Sequence, residues 1–176
     1  PYELSAKILP IQSVGVQGDD RTYKNPVVMS GETSWETLAI CATQIINSFR
    51  EVNRAVYSVY PSAVQKIDFQ KTSLTPGRIT LLQQVDTLVT HFIEQKKISR
   101  DIWQFPVILI PVSINGKPGE GVVLRPVCSE EAMTASPYFL EWSLLRKLTE
   151  EIMKISGISA VFYDVTSKPP ATIEWE

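Results

Sequence analysis

Histidine and cysteine, the side chains that most often hold metals or act as nucleophiles, are scarce in this chain. His91 is the only histidine, and Cys41 and Cys128 are the only cysteines, among 176 residues. A zinc site needs several imidazole or thiolate ligands, and two distant cysteines do not make a disulfide framework. We therefore expect no metal site, reduced thiols and a cytosolic location. His91 is expected to be a partly exposed helix residue, and both cysteines are expected to serve packing.

Common phosphate-binding and hydrolytic motifs are absent as well. The chain has no P-loop, no G-x-G-x-x-G, no H-E-x-x-H and no C-x-x-C. The acid pairs Glu130-Glu131 and Glu150-Glu151 offer carboxylates for acid–base chemistry. Neighbours on a helix or strand point in different directions, however, which favours solvated surface. The residues alone therefore predict a chain that is not a complete enzyme and that carries no catalytic residue.

Long hydrophobic runs and an excess of positive charge are also lacking. The longest apolar run, Phe105 to Ile114, is broken by Pro106 and Pro111, whereas a membrane helix needs about 20 apolar residues. The net charge of −2 gives no overall attraction to nucleic acid. Neither a membrane nor a nucleic acid is expected as a partner. The chain starts at Pro1 without a visible signal peptide, so we expect a piece of a longer protein whose other part holds the chemistry.

What is present is an alternation of strand and helix patterns. Strands are predicted over 5–16, 27–30 and 54–60, with a turn over 17–25 between the first two. A helix is predicted over 31–49, where Thr33 and Glu36 fit a capping box. A polar loop over 61–73 precedes a second helix that opens at Thr75-Pro76. The apolar run after residue 104 predicts a buried strand.

The strand and helix pattern of the first sixty residues recurs near the C-terminus. AKILPIQSVG (6–15) resembles VILIPVSING (107–116), and NPVVMSG resembles EGVVLRP. IINSFREVNRAVYSV (45–59) aligns without a gap with EIMKISGISAVFYDV (151–165). Duplication is our preferred interpretation, and convergence of two α+β segments is the alternative.

The recurrence predicts an α+β fold of two strand–strand–helix–strand units, joined by a linking helix, with helices covering the sheets. The first unit spans 1–60, the linker and connecting helix span 61–104, and the second unit spans 105–176. Each unit has three strands but only one helix, which leaves much of its sheet uncovered. We therefore expect the units to pack together or one unit to pair with another chain.

Three stretches of the sequence carry residues suited to binding a ligand. In VQGDDRTY, Gly18 permits a tight turn and Arg21 offers a planar fork of donors for phosphate or carboxylate. Gln104, before the buried strand, can both donate and accept hydrogen bonds. Taken singly, each of these two stretches is better explained without a ligand: the first as a hairpin turn with solvated charges, and the second as a polar residue at the edge of a strand.

The third stretch is the terminal YDVTSKPPATIEWE. Lys168 precedes Pro169-Pro170. The two prolines restrict the backbone and so reduce the conformational entropy that is lost when a ligand binds. Ile173 and Trp175 can dock this peptide on the body and hold Glu174 nearby as an acceptor. Packing for stability alone would account for the tryptophan but poorly for Lys168 and Glu174.

SVGVQGDDRTY, VVLRPV with EAMTA, and ISAVFYDVTSKPPATIEWE together resemble the C-terminal domain of GMP synthase, the glutamine-hydrolysing amidotransferase, over nearly the whole chain. That family converts XMP to GMP with ATP and glutamine. Its full-length members also carry a glutaminase domain and an ATP-pyrophosphatase domain with an S-G-G-x-D-S loop, and neither occurs here. The resemblance implies a third domain that helps to bind XMP, mediates dimerisation and is inactive alone. It also implies no cofactor here, with ATP and Mg bound by the missing domain.

The resemblance further implies an XMP site made from six residues: Asp19, Arg21, Gln104, Lys168, Ile173 and Glu174. Asp19, Arg21 and Gln104 would contact the nucleotide. Lys168 would hold the phosphate, Glu174 would accept from the ribose or base, and Ile173 would add a backbone contact. Trimming the last three residues is then expected to abolish XMP binding and to leave the fold largely intact.

The chain departs from many bacterial members, which run almost directly from QGD-x-RTY into LRAV-x-S with one copy of the fold. The two-copy layout matches some eukaryotic enzymes. It puts the bacterial homodimer in doubt, because the second copy could occupy the surface that a partner would use. The alternative function is a structural or oligomerisation module that binds no nucleotide by itself.

Overall fold

Residues 4–17, 20–131 and 133–176 are described by a computed structural model of the chain. These residues form eleven strands and three helices. In chain order the elements are β1 (Ser5–Ile8), β2 (Ser13–Gln17), β3 (Asp20–Ser30), α1 (Trp35–Ser48), β4 (Val52–Tyr60), β5 (Ile67–Phe69), α2 (Pro76–Gln95), β6 (Val107–Ile110), β7 (Val112–Ile114), β8 (Glu120–Leu124), β9 (Val127–Cys128), β10 (Ser136–Pro137), α3 (Trp142–Ile152) and β11 (Ile158–Asp164). The α+β class is confirmed.

The two units form one sheet with strand order β1-β3-β4-β11-β8-β6 in the described part of the chain. In the first unit β1 is antiparallel to β3, and β3 is parallel to β4 after the crossover through α1. In the second unit β6 is antiparallel to β8, and β8 is parallel to β11 after the crossover through α3. The antiparallel pair β4 and β11 joins the units at the centre. The units therefore pack edge to edge by strand pairing.

The strand register is the same in both units at the aligned positions. Val27 lies opposite Ala55, and the aligned Val122 lies opposite Val161. A register shift occurs at the aligned place in each unit, between Asn25 and Pro26 and between Ile158 and Ala160. The shared register and shared irregularity fit a repeated unit, and its origin by duplication stays a prediction.

The sheet has two apolar faces because side chains alternate along each strand. Val27, Ala55, Val122 and Val161 belong to the core beneath the three helices, whereas the next residue of each strand belongs to a second core. That second core is covered by β5, β7 and the C-terminal residues, with Trp175 packed into it. The prediction that helices cover the sheets therefore holds for one face only.

Several local predictions need correction. Ser34, not Thr33, caps α1, and its hydroxyl accepts a hydrogen bond from the amide of Thr37. The predicted strand over 5–16 is two strands, and Pro111 separates β6 from β7 because it lacks an amide donor. The predicted loop over 61–73 contains β5, which pairs with β7. The start of α2, with Thr75 as cap and Pro76 in the first turn, is confirmed.

Candidate functional site

Residues 167–176, here called the terminal peptide, are docked on the body by backbone hydrogen bonds. Lys168 exchanges two bonds with Ala135, with N···O distances of 2.8 and 3.1 Å. Further along, the amide of Val16 donates to the carbonyl of Pro170 at 2.7 Å, and the amide of Val14 donates to Trp175 at 2.8 Å. The terminal peptide is thus held by strand β2 and by the segment before β10.

A fully buried cluster of charges lies beneath the terminal peptide. Asp164, at the end of β11, and Arg54 and Arg125 are all 0% exposed. The Oδ2 atom of Asp164 lies 2.7 Å from Nη1 of Arg54 and 2.8 Å from Nη1 of Arg125. The indole N–H of Trp175 donates to the same oxygen at 3.0 Å. Three donors therefore converge on one carboxylate oxygen and tie the terminal peptide to the centre of the sheet.

The pKa values agree with a charged cluster. Burial alone would raise the pKa of Asp164, but the guanidinium groups of Arg125 and Arg54 outweigh it and hold that pKa below its ordinary value. Burial lowers the pKa of Arg54 to about 10, and attraction to Asp164 offsets only part of that effect. At neutral pH the carboxylate is therefore ionised and Arg54 protonated, and each arginine keeps hydrogen-bond donors beyond those that face Asp164.

Several of these donors reach the backbone of the terminal peptide. Arg125 donates from Nη2 to the carbonyl of Thr172 at 2.8 Å and from Nε to that of Ile173 at 2.9 Å. Arg54 donates from Nη2 to the carbonyl of Glu174 at 3.1 Å, and its guanidinium lies 4.8 Å from the centre of the Trp175 ring. Three consecutive carbonyls are therefore fixed from below by two buried arginines.

Three of the residues predicted for a site lie in or beside one small apolar cluster. Ile173 is 5% exposed and packs with Val127 and Ala135. Lys168 is half-buried and bonded to Ala135, while Gln104 is exposed and its backbone pairs with Val127. The structure thus brings Gln104, Lys168 and Ile173 to the same end of the second unit.

Two further predicted residues approach the terminal peptide from other directions. Arg21 is exposed at the start of β3 and lies opposite Val16, whose amide bonds Pro170. Glu174 has an exposed side chain, while its carbonyl is held from beneath. Asp19 lies outside the described residues.

Two cavities in the described part of the chain lie away from these positions. A cavity of about 270 Å³ lies between β1 and the end of α1, and a shallow groove runs between α2 and the segment that follows α3. Neither is lined by a predicted site residue. The described ranges contain no group of three or more His, Cys, Asp and Glu side chains placed to hold a metal ion. Within the same ranges, no helix has the length and apolar character needed to cross a bilayer.

Comparison with known proteins relates this chain to one family. Residues 91–175 match the sequence model described as the GMP synthase C-terminal domain. A probable GMP synthase (glutamine-hydrolysing) of Leptospira interrogans is 43% identical over 98% of the chain, and one of Caenorhabditis elegans is 33% identical over 99%. The chain spans 29% and 27% of the length of these relatives. The chain belongs to the GMP synthase C-terminal domain family.

GMP synthase relatives differ in how much of the chain they match. The Leptospira and Caenorhabditis proteins align with both units of the chain, whereas the GMP synthase of Streptomyces coelicolor aligns with 58% of it, at 40% identity. A match over nearly the whole chain is therefore found in a bacterial relative as well as in an animal one.

Sequence reasoning missed the charged cluster that supports the terminal peptide. Arg54, Arg125 and Asp164 stand in or directly beside apolar strand segments, VNRAVY, VVLRPV and VFYDV. Charged residues are rarely buried unless paired. Opposite charges inside apolar strand segments could have indicated a buried ion pair. The sequence does not say, however, which of these charges contact each other.

Close approach of β2 to the terminal peptide gives a first testable prediction. Gly15 pairs with Ala171, and a methyl group added there would lie 2.8 Å from the carbonyl oxygen of Pro170 and 2.9 Å from Nδ2 of Asn53. Gly15→Ala should therefore lower the free energy of unfolding by about 1–3 kcal/mol through overpacking. It should also speed hydrogen exchange at the Val16 amide, because the peptide has to move.

Gly77 provides the matched control for this substitution. A methyl group at Gly77, in the first turn of α2, would meet nothing within 4 Å, so Gly77→Ala should change the free energy of unfolding by about 0.5 kcal/mol or less. Urea denaturation of both variants measures the difference. Equal stability of the two would show that the approach of β2 to Pro170 is looser than described.

Proposed function

We propose that this chain supplies XMP binding to a GMP synthase that aminates XMP to GMP with ATP and glutamine. One observation carries the proposal. Arg54 and Arg125 hold three consecutive carbonyls of the terminal peptide, those of Thr172, Ile173 and Glu174, by hydrogen bonds. Such a backbone loses little entropy when it binds a ligand. In this proposal the terminal peptide is a preformed nucleotide site.

Each predicted residue has a role consistent with its chemistry. The Lys168 ammonium holds the phosphate, and the exposed carboxylate of Glu174 accepts hydrogen bonds from the ribose or base. Arg21, at the start of β3, and Gln104, next to Val127, contribute further contacts in this proposal. The sequence prediction adds Asp19 to them. Ile173 contributes through its backbone, since its side chain is buried.

Catalysis itself is assigned to other parts of the enzyme. We propose that glutaminase and ATP-pyrophosphatase domains in the same polypeptide hydrolyse glutamine and activate XMP, and that ATP and Mg bind there. The chain by itself then carries out neither step and needs no cofactor. The proposal places the enzyme in the cytosol, where free nucleotides are made.

Assembly is the second candidate function, and one feature supports it. All four residues of the edge strand β1 are exposed, and Ile8 and Phe49, which line the neighbouring cavity, are 58% and 56% exposed. Bare edge strands pair readily with other strands. A role in forming a homodimer, with or without independent nucleotide binding, is consistent with that edge.

Calorimetric titration with XMP tests the nucleotide-binding proposal, with AMP as the competing ligand. We expect selective XMP binding, and we expect Lys168→Ala to weaken it about tenfold or more because a charge-assisted hydrogen bond is lost. Lys147→Ala, at an exposed position on α3, is the control and should bind as the unmodified chain does. Lack of XMP binding by the unmodified chain would favour the assembly function.

A further inference from the structure

The arginines beneath the terminal peptide contact the backbone of the residues that the proposed function places at the nucleotide. Arg125 alone makes four contacts: with the Asp164 carboxylate at 2.8 Å and with the carbonyls of Thr166, Thr172 and Ile173 at 3.1, 2.8 and 2.9 Å. No side chain except a guanidinium presents so many N–H groups in one plane. Its role is therefore more specific than neutralising one buried acid.

A second set of contacts reinforces the same segment. The Thr172 hydroxyl donates to the carbonyl of Glu174 at 2.5 Å or to that of Val14 at 3.0 Å, and Nη2 of Arg54 lies 3.3 Å from that hydroxyl. The β2 strand, Arg54 and the terminal peptide are joined in this way at one threonine. The path of Glu174 is thus determined by contacts on its backbone, while its side chain remains exposed.

We propose that Arg125, assisted by Arg54 and Thr172, is a positioning residue that sets the affinity for XMP by fixing the backbone on which Glu174 is presented. This inference rests on the proposed function. Arg125 is fully buried and acts through the carbonyls of Thr172 and Ile173. A lysine at position 125 would keep a positive charge for Asp164, but its compact ammonium cannot also reach three separate carbonyls in one plane.

A positioning role and a purely stabilising role predict different results. If Arg125 only stabilises the fold, any substitution of equal destabilising effect should change XMP binding equally. If it positions the terminal peptide, binding should respond to Arg125 far more than to a distant core residue. Leu148→Ala is the comparison variant, because Leu148 lies on α3 and is fully buried in the core between the helices and the sheet. Arg78→Lys supplies the same chemical change at the Arg78–Glu120 pair, which lies outside the terminal peptide.

The experiment measures XMP affinity by calorimetry and hydrogen exchange at the amides of Val14 and Val16, which bond the terminal peptide. We expect Arg125→Lys to weaken XMP binding about tenfold or more and to speed exchange at both amides. Leu148→Ala and Arg78→Lys should bind XMP within about twofold of the unmodified chain. Unchanged affinity in Arg125→Lys, or an equal loss in Leu148→Ala, would overturn the inference.

A second variant tests the positioning role if Arg125→Lys does not fold. Thr172→Val keeps the shape of a half-buried side chain and removes the hydroxyl that joins Val14, Arg54 and Glu174. It should weaken XMP binding about threefold or more, and unchanged affinity would overturn the inference. Failure of the unmodified chain to bind XMP is a separate result that overturns the proposed function, and this inference with it.

Discussion

Asp164→Asn is expected to lower the free energy of unfolding by about 3–5 kcal/mol. The substitution keeps the shape of the side chain but removes the negative charge that Arg54 and Arg125 share at 2.7 and 2.8 Å. Two buried guanidinium groups would then face each other without an anion, and an amide in place of the carboxylate would present one acceptor oxygen fewer to three donors. Urea denaturation followed by circular dichroism measures the loss.

Asp68→Asn is the matched control for this prediction. Asp68 pairs with Lys66 at 2.7 Å, but its side chain is 37% exposed and that of Lys66 is 69% exposed. Exposed pairs contribute about 0–1 kcal/mol, so the control should lose no more than that. A loss below about 1 kcal/mol for Asp164→Asn would mean that water or a rearranged side chain compensates the arginines.

Trp175→Ala is expected to cost about 3–5 kcal/mol, the usual range for removing a buried large aromatic side chain. Trp175 is 5% exposed, packs in the core opposite the helices and donates its indole N–H to Asp164. Trp175→Phe should cost less, because a ring stays in the cavity while the hydrogen bond is lost. Denaturation of the two variants separates the packing contribution from the hydrogen bond.

Trp103→Ala is the comparison for this second prediction. Trp103 is 42% exposed, so its removal should cost about 1 kcal/mol or less. Equal losses at the two tryptophans would contradict the burial described for Trp175.

Trimming the last three residues deletes Trp175 as well, so the expectation that the trimmed chain keeps its fold largely intact does not agree with the structure. Single substitutions at Lys168 and Thr172 are the better tests of binding.

Much of the architecture could be predicted from the sequence because it depends on local periodicity. The Thr75-Pro76 start of α2 is a short-range feature, and it agrees with the structure. The alignment of 45–59 with 151–165 identified positions that occupy the same register in the two units. The choice of Thr33 over Ser34 as the cap of α1 failed because only Thr33 has a glutamate three positions later, whereas the hydroxyl of Ser34 caps the Thr37 amide without such a partner.

The sequence by itself determined the alternation of strands and helices, the recurrence of one unit, and the stiff terminal peptide carrying Lys168 and Glu174. These are properties of neighbouring residues, since hydrophobic period and proline act over a few positions. Only the tertiary structure decided that β4 pairs with β11, and that Arg54, Arg125 and Asp164 meet beneath Thr172 and Glu174. Residues up to 110 positions apart form that cluster, and which buried charges pair depends on the strand order and not on any local pattern.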